Sequence, residues 1–477
     1  MEQTKNALRR PVAASFFYTA TAAVGKAAAI LTLPYFTARL GAAGYGRYAL
    51  YLSYEGLLFS LLSVGLGGAV IFRALQKYRG EENRLLGTAF GLSLLATLLS
   101  LPLTLPLLLR RLSPDLCLLL FLQVLGAVAF TLYGAKCRYT YRYRPICALN
   151  LLSDIGAPLL AILLLTLFPM GERARILSGA LLAVGIGSLS LLRILRRARL
   201  FDREILRYLL GLQLPLLPHY LSLSLMGEAA RLSVERVLGS EALGAYAVAH
   251  SVGLCLSLVT VSLGGAFQPW VLRRVAAGEH RRVAAVSGKA ALLLCTLSML
   301  PILLCPEIFS LLAPEGYAIG EAAVPALCFC VPLSFLTTVP ILAKLGEGRR
   351  LAISLPSLAA ALSQLLLCPY LAARFGLGGA SAGALISYFL FFLLHAFTLK
   401  KSQKQIINVK KCFLFCLLFS IIGVSATVLY PYFNIRLLLI FLYLFASALQ
   451  LMLLKSCLLE PKMTQSHPKA GKLKKAQ

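Results

Sequence analysis

Charges stranded inside apolar sequence are the residues of this chain best placed to do chemistry. Lys26 lies in the middle of the first apolar run, Glu55 in the second, Asp154 in the fifth, and Glu228 and Arg231 in the seventh, which Glu235 and Arg236 close. A charge at mid-membrane depth costs roughly 2.5–3.5 kcal/mol on insertion scales, so one that serves nothing tends to be lost. Lys26 is a compact cation suited to contacting a pyrophosphate; an ion pair with Glu55 on the neighbouring helix is the competing structural role, and the two are compatible in different conformations. Glu228, Arg231 and Glu235 are spaced i, i+3 and i+7, within about 60° of one helix face. They form one polar stripe, expected to face a wet cavity, with a local Arg231–Glu235 pair as the alternative. Pro215 and Pro218 interrupt the same segment, and such breaks are tolerated where backbone lines a cavity.

Other polar residues carry weaker signals. His219 falls about 180° around the helix from Glu228 and reads as a hydrogen-bonded packing residue, as does His250. Asp154 lies within two turns of the expected start of its helix, where a solvated carboxylate suits the helix dipole. Arg73 reads as an anchor at the inner face. Tyr45, Tyr48, Tyr51 and Tyr54 recur three apart; sugars pack on aromatic faces, although an interfacial aromatic belt accounts for the first two.

These residues need membrane-spanning helices to hold them. The chain has 477 residues, 59% hydrophobic and 14% charged, with a mean hydropathy of +0.81. Soluble domains carry about 25% charged residues; spanning helices need about 20 apolar residues each. The apolar runs are continuous, unlike the alternating strands of membrane barrels. About fourteen spans are expected, near 13–38, 48–72, 85–109, 116–135, 146–168, 176–195, 208–233, 242–267, 286–312, 322–343, 351–373, 376–399, 412–431 and 435–456. The basic start of the chain resembles a signal peptide, but the first run is longer than a signal h-region and reads as an uncleaved helix. The twelve cysteines show no zinc-type spacing and read as reduced packing residues.

The basic residues divide between the gaps. Of 47 lysines and arginines, 36 fall at the N-terminus, in alternate gaps and in the tail. Nine fall in the other gaps: Arg39, Arg47, Arg110, Arg111, Arg173, Arg175, Arg236, Arg374 and Arg436. The remaining two are Lys26 and Arg231. By the positive-inside rule both termini are cytoplasmic and the number of crossings is even. The net charge of +29 then serves orientation and anionic headgroups rather than nucleic acid, because no basic domain stands apart from the apolar runs.

The chain also repeats itself. Leu40-Gly41-Ala42-Ala43-Gly44-Tyr45-Gly46-Arg47-Tyr48-Ala49 and Leu238-Gly239-Ser240-Glu241-Ala242-Leu243-Gly244-Ala245-Tyr246-Ala247 both fit Leu-Gly-x-x-x-x-Gly-x-Tyr-Ala, at an offset of 198 residues. A weaker echo pairs Gly67-Gly68-Ala69 with Gly264-Gly265-Ala266. The offset spans six helices, which predicts an all-α membrane protein of two six-helix bundles related by an axis along the membrane normal. The bundles are placed at 1–200 and 201–400, with two additional helices at 401–459 and a basic cytoplasmic tail at 460–477. Two bundles around a cavity suit alternating access.

The motifs carry a family resemblance. Lys26, Leu33-Pro34-Tyr35, Arg39-Leu40-Gly41 and Gly44-Tyr45-Gly46, followed by Leu214-Pro215, Glu235-Arg236, Leu238-Gly239 and Gly244-Ala245-Tyr246, resemble the multidrug/oligosaccharidyl-lipid/polysaccharide exporter superfamily. The likeness is greatest to its polysaccharide-biosynthesis branch, the Wzx-type flippases. Glu235-Arg236 stands where the family often has Asp-Arg. The resemblance implies a MATE-like fold and a multi-pass protein of the bacterial cytoplasmic membrane. Its substrate would be an undecaprenyl-pyrophosphate-linked oligosaccharide, moved from the inner to the outer leaflet. Membrane lipids surround it, and a polysaccharide polymerase with its chain-length machinery are the implied partners. Lys26 and Arg231, with Arg39 and Arg236 near the outer mouth, would meet the anion.

Glu55, Glu228 and Glu235 offset those cations. That favours the rival reading, a cation-coupled multidrug exporter of the same superfamily, with H+ or Na+ as coupling ion. No other cofactor is expected. An enzyme is disfavoured: no outer gap exceeds about 17 residues, and Glu81-Glu82 is cytoplasmic and flanked by bases.

Overall fold

The computed structural model describes residues 2–66, 69–196 and 200–459. Those residues are almost wholly α-helical, with short 3-10 turns and no strand among them. Ten helices among the described residues are long and apolar enough to cross a membrane. Gly67, Gly68 and the tail from 460 lie outside the described residues.

Three helical segments each consist of two arms folded back across a non-helical kink: α1 (Glu2–Leu62), α8 (Leu217–Ala276) and α12 (Leu351–Phe397). In α12, Ser363 Oγ donates to Ser387 Oγ at 3.1 Å across 24 residues, which a straight helix would separate by about 36 Å. In α1, Lys26 and Leu52 line one cavity of about 250 Å³; in α8, Met226 and Ser257 line one of about 680 Å³. Each fold-back needs a residue at positive φ, supplied by Gly41 (φ 66), Gly239 (φ 87) and Gly376 (φ 61), since glycine lacks the Cβ that penalises that region. The expected spans 1 and 2, 7 and 8, and 11 and 12 are thus the arms of α1, α8 and α12. Gly41 and Gly239 are the first glycines of the two motif copies, so the recurring sequence encodes a recurring turn. Gly80 (φ 92) and Gly278 (φ 75) repeat the offset of 198.

Between the folded-back helices lie α2 (Ala69–Lys77), α3 (Glu82–Leu109), α4 (Pro114–Tyr139), α5 (Tyr143–Leu167), α6 (Glu172–Leu195) and α7 (Arg203–Gln213). After α8 come α9 (His280–Leu303), α10 (Cys305–Leu312), α11 (Val324–Gly346), and, after α12, α13 (Val409–Ser425) and α14 (Phe433–Leu459). Three boundaries depart from expectation. The second span, expected to run to 72, ends at Leu62, and α2 begins separately at Ala69. Pro215 separates α7 from α8, so the seventh span starts later than 208. The ninth span, expected to run to 312, ends at Leu303 and is followed by the short helix α10 and a 3-10 turn, Glu315–Ala323.

The two largest buried clusters divide along the chain. One draws on Tyr51 to Leu209; the other draws on Ala230 to Leu454 together with Leu33, Ala49 and Leu50. Leucines such as Leu31, Leu99, Leu103 and Leu366 stand exposed on the outside, as lipid-facing helices require. α13 and α14 pack on α9: Cys416 Sγ lies 3.8 Å from Cys295 Sγ, and Thr296 Oγ1 donates to Gln450 Oε1 at 2.7 Å. Arg436 grips Glu307 through two bonds of 2.6 and 2.7 Å and donates to Leu303 O at 2.7 Å. It is only 3% exposed: the basic residue assigned to an outer gap is a buried tie.

Candidate functional site

α1 and α8 pair crosswise. The second arm of α1 lies on the first arm of α8, where Ser224 Oγ donates to Gly56 O at 3.0 Å and Ser60 Oγ to Tyr220 O at 3.2 Å. The first arm of α1 meets the second arm of α8, where Lys26 Nζ donates to Ser257 Oγ at 2.7 Å. The predicted site residues are distributed by this crossing.

The polar stripe of α8 is turned toward α1. Glu228 packs on the bare backbone of Gly56, where a Cβ would stand 3.1 Å from Glu228 Oε1. Arg231 Nη2 donates to Glu228 at 3.2 Å, and both side chains are 14% exposed. Glu235 leaves this pair and accepts from Ser240 Oγ at 2.8 Å beside the fold-back turn. The i,i+3 pairing of Arg231 with Glu228 therefore replaces the local Arg231–Glu235 pair. Glu55 faces Gln123 and lies near Glu228; Gln123 accepts from Tyr51 at 2.9 Å. One carboxylate oxygen of Glu235 and Nε of Arg231 are buried without a hydrogen-bond partner, whereas both oxygens of Glu228 lie within 3.2 Å of Arg231 Nη2. A buried polar atom without a partner costs about 1–3 kcal/mol, so this contact retains unused capacity for a polar group.

Lys26 has no ion pair with Glu55 among the described residues; its hydroxyl partner on α8 takes that place. It lines the cavity of about 250 Å³ with Tyr45, Tyr48, Arg175 and Cys255. The Arg175 guanidinium stands 4.7 Å from the Phe36 ring and 5.3 Å from the Tyr48 ring, within cation–π range. Arg175 was counted with the outer gaps; nothing in its local sequence distinguishes it from Arg173. Cys255 is the one exposed thiol among the described cysteines.

The larger cavity, of about 680 Å³, runs along α8 from Tyr246 to Leu272 and is closed by α11 and α12 through Ser334, Gln364 and Tyr388. It contains none of the seven site candidates, although His250 lines it. Arg39 and Arg236 are exposed beside the fold-back turns and line neither cavity.

Two smaller expectations change. α5 begins at Tyr143, so Asp154 sits three turns into its helix rather than at its solvated start, and its carboxyl presses on Gly25, next to Lys26. The tyrosine stripe splits: Tyr45 and Tyr48 line the small cavity, while Tyr51 is 1% exposed and bound to Gln123. His219 is hydrogen-bonded to Ser357 Oγ at 2.6 Å, as its packing role required. Lys344, assigned to the inner gap at 344–350, is fully buried.

Long apolar helices folded back in pairs, with charged contacts buried at mid-length, define a multi-pass membrane protein of the transporter class. Residues 12–274 match the family described as polysaccharide biosynthesis protein. The chain belongs to that family, the polysaccharide-biosynthesis branch of the multidrug/oligosaccharidyl-lipid/polysaccharide exporter superfamily. No curated protein matches it. Among solved structures it resembles the lipid II flippase MurJ in an inward closed conformation, with a TM-score of 0.63 and 13% identity, covering 94% of this chain and 99% of that one. It also resembles an inward-facing multidrug resistance MATE transporter of the superfamily, at 0.56 and 14%, covering 84% and 95%. A superfamily transporter from Pyrococcus furiosus gives 0.54 and 14%, covering 87% and 97%. These likenesses establish a shared, MATE-like fold.

Proposed function

We propose that this protein is a flippase that carries a polyprenyl-pyrophosphate-linked oligosaccharide across the bacterial cytoplasmic membrane for cell-surface polysaccharide synthesis. The observation that carries the reading is the small cavity. Two cations on different helices, Lys26 and Arg175, flank Tyr45 and Tyr48, a combination that suits a phosphate linked to a sugar. The family match supports it, and the fold shared with a lipid II flippase is consistent with it.

In this reading the chain makes fourteen crossings with both termini in the cytoplasm. Bundles at 1–200 and 201–400 rock about the α1–α8 crossing, and the helices at 401–459 are an appendage. Lys26 and Arg175 receive the anion, while Arg231, Glu55, Glu228 and Glu235 hold the bundles in register. The polyprenyl tail stays in lipid, no covalent chemistry is performed, and a polysaccharide polymerase with its chain-length machinery takes the product. Deletion of the gene should remove surface polysaccharide, the wild-type gene should restore it, and Lys26→Ala should fail to restore it at wild-type protein level. Normal polysaccharide in that variant overturns the role of Lys26.

A second reading is favoured by one contact. Glu55 and Glu228 are neighbouring carboxylates, and only Glu228 is paired with Arg231, which leaves Glu55 as the acidic group that a cation-coupled drug exporter would need. A deletion strain with unchanged polysaccharide and raised drug sensitivity selects it.

A further inference from the structure

The two cavities occupy corresponding places in the two halves of the chain. Ala29, Thr32, Tyr48 and Leu52 line the smaller one. The residues 198 positions further on, Gly227, Ala230, Tyr246 and His250, line the larger. The internal repeat therefore reaches beyond the fold-back turns into the chambers beside them.

Their furnishing differs. The first chamber carries Lys26 and Arg175. The second is lined by no Lys, Arg, Asp or Glu among the described residues. Arg231, next to the lining residue Ala230, is paired with Glu228. Lys26 reaches the wall of the second chamber through its bond to Ser257.

In place of charge the second chamber has neutral hydrogen-bonding groups. Gln268, Ser334, Gln364 and Tyr388 line it together with Tyr246 and Ser257. Two of them hold unused capacity: Tyr246 OH and Gln364 Oε1 are buried without a hydrogen-bond partner, in residues 0% and 1% exposed. Gln364 is fixed on α12 because its Nε2 donates to Met226 O of α8 at 2.8 Å, which leaves its carbonyl as an acceptor. The Tyr246 hydroxyl can donate and accept. Unpaired buried polar atoms are costly, and a ligand rich in hydroxyl groups relieves both.

We propose that the second chamber is a glycan subsite that takes an uncharged sugar, a hexose or an N-acetylhexosamine, while Lys26 and Arg175 take the phosphate attached to it. The proposal rests on the flippase reading and narrows its substrate. An uncharged sugar brings hydroxyls to Tyr246, Gln364 and Ser334 and an apolar ring face to the tyrosines. At about 680 Å³ the chamber lies within the range of about 300–1,000 Å³ common for small-molecule pockets. A uronic acid would bring a carboxylate without a cation, and a cationic drug would bring a charge without a carboxylate; burying an unpaired charge is heavily penalised. A polyprenyl chain would leave the polar groups unpaired. The Lys26–Ser257 bond of 2.7 Å marks where the two chambers adjoin, so a phosphate and its first sugar meet opposite sides of one contact.

The test uses the full-length protein in lipid nanodiscs and isothermal titration calorimetry. The probes are farnesyl pyrophosphate and its esters with N-acetylglucosamine and with glucuronic acid. N-acetylglucosamine is expected to tighten binding about fivefold or more over the bare pyrophosphate, and glucuronic acid to give no gain. Tyr246→Phe removes only an unpartnered hydroxyl, so its unfolding midpoint should not fall. It should cut the gain from the sugar by about 2- to 10-fold without changing the affinity for farnesyl pyrophosphate. Gln364→Met should act in the same direction. Lys26→Ala should weaken all three probes alike. An equal or larger gain from glucuronic acid, no gain from N-acetylglucosamine, or a gain untouched by Tyr246→Phe and Gln364→Met overturns the subsite and leaves the flippase reading standing. Failure of farnesyl pyrophosphate itself to bind counts against that reading and takes the subsite with it.

Discussion

Gly46 and Gly244 hold the same place in the two motif copies, and each lies against the other copy's turn. A Cβ on Gly46 would collide with the carbonyl of Ser240, and a Cβ on Gly244 with the carbonyl of Ala42. Ser240 and Ala42 each follow the positive-φ glycine of their own copy. The contact is therefore reciprocal, as a two-fold relation between the copies requires. Nearby, Thr37 Oγ1 donates to Leu312 O at 2.8 Å and Tyr317 OH to Thr37 O at 3.0 Å. This end of the molecule is sealed by backbone touching backbone.

A side chain in that seam should wedge it. Gly46→Leu and Gly244→Leu are each expected to destabilise the protein by about 1–3 kcal/mol through overpacking and to abolish polysaccharide complementation. Gly185→Leu, at a position with no neighbour within 4 Å, should do neither. Thermal unfolding in detergent and whole-cell polysaccharide staining read the two effects.

The Glu228–Arg231 pair should behave as a unit. Removing one partner of a buried pair leaves an uncompensated charge and costs about 3–5 kcal/mol. Glu228→Gln alone should therefore lower stability more than the double change Glu228→Gln with Arg231→Gln. A double-mutant cycle on unfolding midpoints in detergent checks this; additive single effects would contradict it.

Arg436 should govern how α14 is held. Losing its charged bonds to Glu307 and its bond to Leu303 is expected to cost about 2–3 kcal/mol. Arg436→Ala should raise proteolysis between α13 and α14 before the rest of the protein is cut, as read by limited digestion and mass spectrometry.

Asp202 gives a pH prediction outside the membrane. Its carboxylate caps α7 by accepting from the backbone N–H groups of Glu204 and Ile205 at 3.0 and 3.1 Å, and it also binds Arg84. The Ile205 N–H and then the Arg84 guanidinium hold its carboxyl below the usual carboxylate range. A depressed carboxyl stabilises the fold at neutral pH and loses that effect as pH falls through its folded value. Asp202→Asn should remove part of the acid sensitivity of the unfolding midpoint below the ordinary carboxylate range, and leave the α7 cap largely intact.

Much of the fold was legible because lipid makes one demand, a continuous apolar run, and the runs lie where helices are found. The fold-back turns were legible as motifs, since positive φ selects glycine at 41 and 239. Partnerships across distant helices were not. Lys344 Nζ lies 3.2 Å from His395 Nδ1 although the two are 51 residues apart, and each looked ordinary where it stood, one at a loop edge and one late in an apolar run. Arg175 differs from Arg173 only in which way its side chain leaves α6. Glu228 was placed on a polar stripe expected to face a cavity, but the periodicity of one helix says which residues share a face, not which neighbour the face meets; here Glu228 meets Gly56 of α1.

Cys255 lines the same small cavity as Lys26 and Arg175. The native protein thus brings its own chemical handle to the place where a phosphate-bearing lipid would dock. A maleimide and an occupant of that pocket would compete for the same space. The rate of alkylation in unaltered membranes then becomes a gauge of occupancy, readable by mass spectrometry before the cargo is known.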